Sequence, residues 1–478
     1  MAVSPMGREL FGTDGIRGVP GRFPLDDATV HAVGHALGRH VSGLAAGVAR
    51  VLIGMDTRES GPQLAGRLAA GLADAGPQPV SAGVITTPGV AALVRSNDFV
   101  AGAVISASHN PFSDNGIKLF SHSGMKFPDE VEEGFEVEIL RLRETASSAG
   151  RLGRELSLSA DPALAAEYLA ELRARAGRAR GDGEKRLDGL TVVLDCAHGA
   201  ASRLGPELFR SLGARVHAIH NSPDGRNINA NCGSLHPESM CRAVVETGAQ
   251  LGVAFDGDAD RALFATASGR LVDGDGVLYV AARALQAAGR LRAPVVGTSM
   301  TNLGLERALA REAIGLARVP VGDRYVLEEM LRRGANLGGE PSGHVIFLDD
   351  GPAGDGLATA LKMAAAMTGD GSLEDLMAGL ALYPQRLLSI RVSEKPPLDR
   401  LPEIARLAAE ARQSLGEAGR IVLRYSGTEP VARVMVEAEN EEEVGRWSAA
   451  IADAIRQQIG AERPSANPNA EASEQAEA

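Results

Sequence analysis

The sequence predicts an α/β chain of three or four domains, the last of them a smaller α+β unit. Three observations carry that expectation. At 478 residues the chain is too long for one hydrophobic core. Short apolar, β-branched runs alternate with alanine- and leucine-rich amphipathic stretches in three successive rounds. After Tyr383 the alternation gives way to strands and helices in a different order. Repeated β-then-α alternation implies sheets covered by helices on their faces.

In the first round, Val51–Met55, Pro79–Val84 and Gly102–Ser106 read as strands. Ser60–Ala75 and Pro88–Ser96 between them carry helical spacing, with Ser60 as the expected N-cap. The second round has strands Thr191–Asp195, Ala214–Ile219 and Gly252–Asp256 around helices Gly205–Leu212 and Pro237–Gly248. In the third, strands Pro294–Thr298, Leu316–Val321 and His344–Leu348 surround helices Asn302–Arg311 and Asp323–Arg333. The final region offers strands near Leu387–Val392, Arg420–Tyr425 and Ala432–Glu437, with helices Leu401–Leu415 and Glu441–Ile459. Basic, glycine-rich Arg173–Gly189 reads as a surface loop. Glu462–Ala478 lacks large apolar groups and reads as a disordered tail. The expected boundaries are 1–160, 161–267, 268–382 and 383–461, followed by the tail 462–478.

Composition narrows the function. Net charge is −12 and aromatic residues are only 4%, which disfavours nucleic acid as a partner. No apolar run reaches the roughly 18 residues of a membrane span. Met1-Ala2-Val3-Ser4-Pro5 does not open an export signal. Three cysteines without a CxxC pair argue against a disulfide framework or structural zinc, so a reduced, cytoplasmic chain is expected.

Four segments carry candidate chemistry. Ile105-Ser106-Ala107-Ser108-His109-Asn110-Pro111 ends a predicted strand, where ligand sites of α/β proteins gather. Two serines two residues apart point the same way on extended backbone, so spacing alone does not choose a nucleophile. A plain Asn-Pro turn is the ordinary alternative. Phe255-Asp256-Gly257-Asp258-Ala259-Asp260-Arg261 also follows a strand, and its alternating carboxylates can converge on one hard cation. A helix–loop–helix calcium loop would need glycine and glutamate where Arg261 and Ala267 stand, which leaves a solvated acidic loop as the alternative. Gly338-Gly339-Glu340-Pro341-Ser342-Gly343-His344 offers varied donors and acceptors for sugar hydroxyls, or simply a glycine-rich turn. Arg424-Tyr425-Ser426-Gly427-Thr428-Glu429-Pro430, with Arg433, makes a phosphate nest or an exposed turn. Arg17, on a glycine-rich loop, and Lys118, ten residues past Ser108, are further cations; each taken singly reads as a surface charge. No glycine-rich nucleotide loop is present.

In combination and in this order, SASHNP, DGDADR, GEPSGH and RYSGTEP resemble the α-D-phosphohexomutase family across nearly the whole chain. FGTDGIRG, NPFSDNGIK, VGDRYVLE and RYSGTEPVARVMVE are most similar to its amino-sugar branch. Pro341 and Ala259 depart from it, where glutamine and glycine are common. The resemblance implies three related mixed-sheet α/β domains plus a smaller α+β C-terminal domain around a central cleft. It implies an isomerase that moves a phosphoryl group between O6 and O1 of glucosamine phosphate through a phosphoserine and a 1,6-bisphosphate intermediate. It selects Ser108 as the phosphorylated residue, places Lys118, Arg17 and His109 in the catalytic set, and gives one Mg²⁺ to phosphorylated Ser108, Asp256, Asp258 and Asp260. Arg261, Glu340, Ser342, His344, Arg424, Ser426, Gly427, Thr428 and Arg433 are then expected to bind the substrate. The rivals are a same-fold mutase acting on glucose or mannose phosphates and a catalytically silent sugar-phosphate-binding protein.

Overall fold

The structure, a computed structural model, describes residues 9–12, 14–44, 47–149, 155–178, 187–426 and 430–461. It forms two compact units, Met1–Val296 with Val319–Ala378, and Gly297–Arg318 with Gly379–Ala478.

The first unit is built on mixed sheets. Its six-stranded sheet runs in the order Phe11–Gly12, Gly15–Gly18, Asn115–Ser121, Ala101–Ile105, Arg50–Met55, Gln78–Val84. Arg50–Met55 is parallel to both of its neighbours, whereas Asn115–Ser121 returns antiparallel to Ala101–Ile105. Strand Ala101–Ile105 is buried along its whole length, as a central strand covered on both faces must be. Val51, Ile53, Ala103 and Ile105 share one core with Val33 and Leu37 of helix Asp27–Val41 and with Leu64 and Leu68 of helix Gly61–Asp74. The first of these helices starts where the Asp26 carboxylate accepts the Thr29 N–H at 3.1 Å, an N-cap.

A second sheet runs Leu271–Val272, Ala262–Thr266, Leu251–Phe255, Thr191–Asp195, Arg215–Ile219, antiparallel at one end and parallel at the other. In the third, Val296 pairs in parallel with Gly338 of Leu337–Gly339, which pairs antiparallel with Val345–Phe347. Helices Gly274–Ala287 and Gly356–Asp370 begin at Gly274-Asp275-Gly276 and at the end of Gly354-Asp355-Gly356, capped by the carboxylates of Asp273 and Asp355.

In the second unit, strands Gln385–Arg391, Val431–Ala438 and Gly419–Tyr425 form an antiparallel sheet with Val431–Ala438 in the centre. Ala432, Val434 and Val436 turn one face toward Ile404 and Ala411 of helix Pro402–Leu415 and Ile451 and Ile455 of helix Glu441–Ile459. The intervening residues take the opposite face. There Glu437, fully buried, accepts the Leu303 N–H at 2.8 Å and pairs with Arg420 at 2.5 Å.

Three local expectations need correction. Ser60 sits at the helix start without capping it; its hydroxyl instead accepts the Asn115 amide at 2.9 Å. The helix expected over Gly205–Leu212 runs Ala201–Ser211, with Pro206 in its interior. The segment Arg173–Gly189 is helical through Arg178, the end of helix Pro162–Arg178, because buried Leu164, Tyr168, Leu169 and Leu172 supply an apolar stripe at helical spacing. The expected tail lies outside the described residues, as does most of the rest of that loop. No helix among the described residues is long and apolar enough to cross a membrane.

Candidate active site

Strand Ala101–Ile105 delivers its serines to a turn of unusual backbone. Ser106 stays with the strand end, and its hydroxyl donates to Asp56 at 2.6 Å. Two residues on, Ser108 has φ +52°, a left-handed conformation disfavoured for a residue with a Cβ. The expectation that both serines face one way therefore fails. Ser108, fully buried, donates its hydroxyl proton to Asp256 at 2.5 Å, and its N–H is held by Ser106 at 2.9 Å.

The turn is clamped by Arg58, itself fully buried. Its guanidinium pairs with Asp56 at 2.9 Å and donates to the carbonyls of Ser108 (3.0 Å), Asn110 (2.8 Å), Asp114 (3.0 Å) and Pro111. The Asn229 amide adds bonds to the Ser108 and Asn110 carbonyls at 2.9 and 3.0 Å. Such carbonyls would be costly to bury without donors.

The acidic loop is the turn of an antiparallel hairpin, Ala262 pairing with Phe255. Asp256, Asp258 and Asp260 each offer an oxygen within 4.8 Å of the others, and all three are buried. Gly257 makes this approach possible: a Cβ there would stand 2.5 Å from the Ser108 carbonyl oxygen. Ala259 takes φ +56°, a left-handed conformation that glycine adopts at less cost.

Charge in the centre is nearly self-compensating. Lys118, opposite Val104 in the sheet, is 1% exposed and not a surface cation. Its ammonium lies 3.0 Å from Asp258, 3.0 Å from Asp14 and 3.6 Å from Asp260. Burial favours a neutral amine, but the three carboxylates hold Lys118 charged, with its pKa well above the usual lysine range. Burial, reinforced by Asp260 and Asp258, pushes Asp256 well above the usual carboxylate range. Burial opposes ionisation of Asp260 too, yet Lys118, His344 and Arg261 keep it low. Thr87 donates to Asp258 at 2.6 Å. Arg17 donates to Asn110 at 3.1 Å and to Asp14 at 2.6 Å. His109 approaches the Ser108 hydroxyl at 3.4 Å; burial, Arg261 and Arg17 lower its pKa to about 4, so it is neutral at pH 7.

The glycine-rich segment at 338–344 is a second hairpin loop. Glu340 donates its N–H to the His344 carbonyl at 2.9 Å, and Ala262, just past the acidic loop, donates to the Gly343 carbonyl at 3.1 Å. The Glu340 carboxylate accepts the Gly322 N–H at 3.0 Å. A Cβ on Gly274 would fall 1.9 Å from the Glu340 carbonyl oxygen, so the helix starting there packs directly under this loop. His344 lies 3.7 Å from Asp260.

Several buried polar atoms here lack a hydrogen-bond partner among the described residues: Asp258 Oδ1, Asp260 Oδ1, Ser342 Oγ, His344 Nε2 and Arg17 Nε. Native proteins rarely leave such groups unsatisfied, so a cluster of them marks where a ligand binds. Two orphaned carboxylate oxygens within reach of a third carboxylate and a serine suit an oxygen-seeking cation such as Mg²⁺.

In the second unit, Arg424 and Arg433 stand directly opposite each other in the sheet, on the face away from the helices. Like charges so placed repel, a cost that a bound anion offsets. Ser426 is buried, its N–H donates to the Val431 carbonyl at 2.8 Å, and its own carbonyl accepts from Lys395 at 2.8 Å. Gly427 and Thr428 lie outside the described residues.

Sequence reading missed Asp14, Asp56, Arg58, Thr87, Asn229 and Lys395. For Asp56 and Arg58 a signal existed, since they follow strand Arg50–Met55 just as the serines and aspartates follow theirs. Asn229 has no comparable mark in the sequence.

Fold and site together define a phosphohexomutase, an intramolecular phosphotransferase. Family descriptions match in order: Phosphoglucomutase/phosphomannomutase, alpha/beta/alpha domain I at residues 8–146, domain II at 166–269, domain III at 273–383 and the C-terminal domain at 387–454. The chain is 52% identical to a phosphoglucosamine mutase of Solibacter usitatus over 458 residues, 95% of this chain and 100% of the relative. The crystal structure of a phosphoglucomutase/phosphomannomutase family protein from Burkholderia thailandensis superposes with a TM-score of 0.74 at 25% identity, covering 93% of this chain and 97% of that one. The N-acetylphosphoglucosamine mutase of Aspergillus fumigatus, solved with GlcNAc-6P and magnesium, shares the fold, with a TM-score of 0.62 at 19% identity over 95% of this chain and 96% of that one. The chain belongs to the phosphoglucomutase/phosphomannomutase (α-D-phosphohexomutase) family, among its phosphoglucosamine mutases.

Proposed function

We propose that the chain interconverts glucosamine 6-phosphate and glucosamine 1-phosphate with Ser108 as the phosphoryl carrier. The observation that carries this reading is the 2.5 Å approach of the Ser108 hydroxyl to Asp256, beside two aspartates with orphaned oxygens.

In the forward direction the sugar O1 hydroxyl attacks the phosphorus of phosphorylated Ser108. A new O1–P bond forms, the bond to Ser108 Oγ breaks, and glucosamine 1,6-bisphosphate results. His109, neutral at pH 7 and 3.4 Å from Ser108 Oγ, would serve the proton that moves at the serine oxygen as its bond to phosphorus breaks and re-forms. The intermediate turns over and returns its O6 phosphoryl group to Ser108 Oγ, leaving glucosamine 1-phosphate. Lys118 and Arg17 offset charge on the transferring group. Asp256, Asp258 and Asp260, with an oxygen of the Ser108 phosphate, would hold one Mg²⁺, which when bound neutralises charge on the phosphoryl oxygens. Glu340, Ser342 and His344 receive the sugar hydroxyls, and Arg261 supports the acidic loop through its N–H to Asp256 at 3.1 Å. Arg424, Ser426, Gly427, Thr428 and Arg433 grip the phosphate that is not being transferred.

On the same reading the chain divides into domains 1–160, 161–267, 268–382 and 383–461 and works in the cytoplasm, consistent with three free cysteines among the described residues. Turnover of glucosamine, glucose and mannose 6-phosphates side by side tests the substrate, with the amino sugar expected to be fastest. A faster neutral sugar would transfer the assignment to the glucose- and mannose-directed relatives. Ser108→Ala is expected to lower turnover by at least about 10⁴-fold while the purified protein loses its single phosphate by intact mass.

A further inference from the structure

A second set of metal-ligating side chains lies in the same unit, outside the catalytic centre. Asp195 ends strand Thr191–Asp195, His220 follows the neighbouring strand Arg215–Ile219, and Cys232 precedes the short helical turn Gly233–Leu235. One carboxylate oxygen, one imidazole nitrogen and the thiol sulfur all fall within 4.8 Å of one another. From this geometry we infer a site for one borderline-soft divalent ion of the Zn²⁺ class, held by Asp195 Oδ2, His220 Nδ1 and Cys232 Sγ with solvent completing a tetrahedron.

The donors fit that class of ion. Thiolate, imidazole and carboxylate in one cluster select zinc-like ions, whereas magnesium prefers oxygen alone. The surroundings supply the outer contacts such a site needs. Asp195 Oδ1 accepts the Ala197 N–H at 3.0 Å, which leaves Oδ2 toward the cluster, 3.0 Å from His220 Nδ1. Ser239 donates to the same Oδ2 at 3.3 Å, a contact the ion would share. The His198 ring meets the His220 ring edge-on at 5.4 Å between centroids and fixes its orientation. Asp195 is fully buried, and among the described residues its only ion-pair partner is His220. A divalent ion would supply the missing positive charge. His220 is 28% exposed, which provides an entry path.

The backbone around the cluster is strained. Ala197, His198, His220, Asn229 and Asn231 all take positive φ, from +47° to +59°. Strain of this kind persists only where the surroundings over-determine it, and it gathers at functional sites. Cys232 lies three residues beyond Asn229, whose amide holds the Ser108 turn. An ion on Cys232 would therefore pin the segment that carries that amide. Binding releases the Cys232 proton to solvent, as any metal thiolate requires.

The test uses the full chain in excess Mg²⁺, which saturates the oxygen site, titrated with Co²⁺ and then Zn²⁺. One equivalent of Co²⁺ should give a thiolate-to-cobalt charge-transfer band in the near ultraviolet, and Zn²⁺ should abolish it. Cys232→Ser should remove the band, His220→Gln should weaken Co²⁺ binding at least about tenfold, and Cys196→Ala and Cys241→Ser should leave the band in place. Circular dichroism confirms that each variant is folded. No band in the natural chain, or a band that survives in folded Cys232→Ser, would overturn the site.

Discussion

On the proposed function the serine–aspartate centre and the arginine-bearing sheet of the second unit would both serve anionic chemistry, but they are built on opposite plans. In the first, charges are buried in numbers and answer one another: Lys118 faces Asp14, Asp258 and Asp260, and Arg58 faces Asp56 while tying down four carbonyls. In the second, Arg424 and Arg433 are only half-buried along one face of a three-stranded sheet, at ladder positions that oppose like charges. On the proposed function the difference follows from the task. Transferring a phosphoryl group demands fixed positions and a dry, preorganised field, and a buried network supplies both at a desolvation cost. Gripping a phosphate that does not react, the role proposed for the second, would need only forked donors, which guanidinium groups provide.

Several variants would break or sharpen this contrast. After Ser108→Ala, the largest effect is expected at Asp258, where Asp258→Ala removes a proposed ion ligand and leaves Lys118 with one neighbour fewer. It should lower kcat by about 10³-fold, a loss of several kcal/mol of charge stabilisation, and chelation of the natural protein should match it. A comparable kcat in Asp258→Ala would show that the buried centre is not where transfer occurs. Next, Arg58→Met strips a fully buried cation from Asp56 and the Ser108 turn. Breaking such a pair costs about 3–5 kcal/mol, read as a lower denaturation midpoint. Third, Arg424→Ala should raise KM about 10- to 100-fold, the value of a charge-assisted hydrogen bond, with a smaller change in kcat and normal phosphorylation of Ser108. A large kcat loss with KM unchanged would instead move Arg424 to the transfer step.

The smallest effect is a pH signature. Burial, Arg261 and Arg17 lower the His109 pKa to about 4 from its ordinary value near 6.5, so His109 is neutral above pH 5. The folded state thus binds fewer protons than the unfolded state between those values, and His109 costs stability as pH falls through that window. The pH–rate profile should show no break near 6.5 from this residue, and His109→Gln should flatten the acid limb of the stability curve between about pH 6.5 and 4.

Much of the centre was legible because its residues obey local rules. Asp256, Asp258 and Asp260 alternate after a strand, Ser106 and Ser108 follow another, and Glu340, Ser342 and His344 share a glycine-rich hairpin. Strand-end placement is written in short-range pattern. Lys118 shows where that reading stops. By sequence it is one more cation, and only the antiparallel return of Asn115–Ser121 beside Ala101–Ile105 carries it into the centre, where burial and three carboxylates determine its charge. Asn229 is further from reach, since 121 residues separate it from the carbonyl it holds.

The sequence by itself determined the alternation of strands and helices, the family, and the loops that hold the serine, the aspartates and Glu340, Ser342 and His344, because each depends on neighbours only a few residues away. Tertiary structure alone decided which serine meets Asp256. Ser106 turns to Asp56 and Ser108 adopts a left-handed backbone, pinned by Arg58 and Asn229 from distant segments. The free energy that holds that conformation comes from contacts that exist only once the sheets have assembled, and no local pattern encodes it.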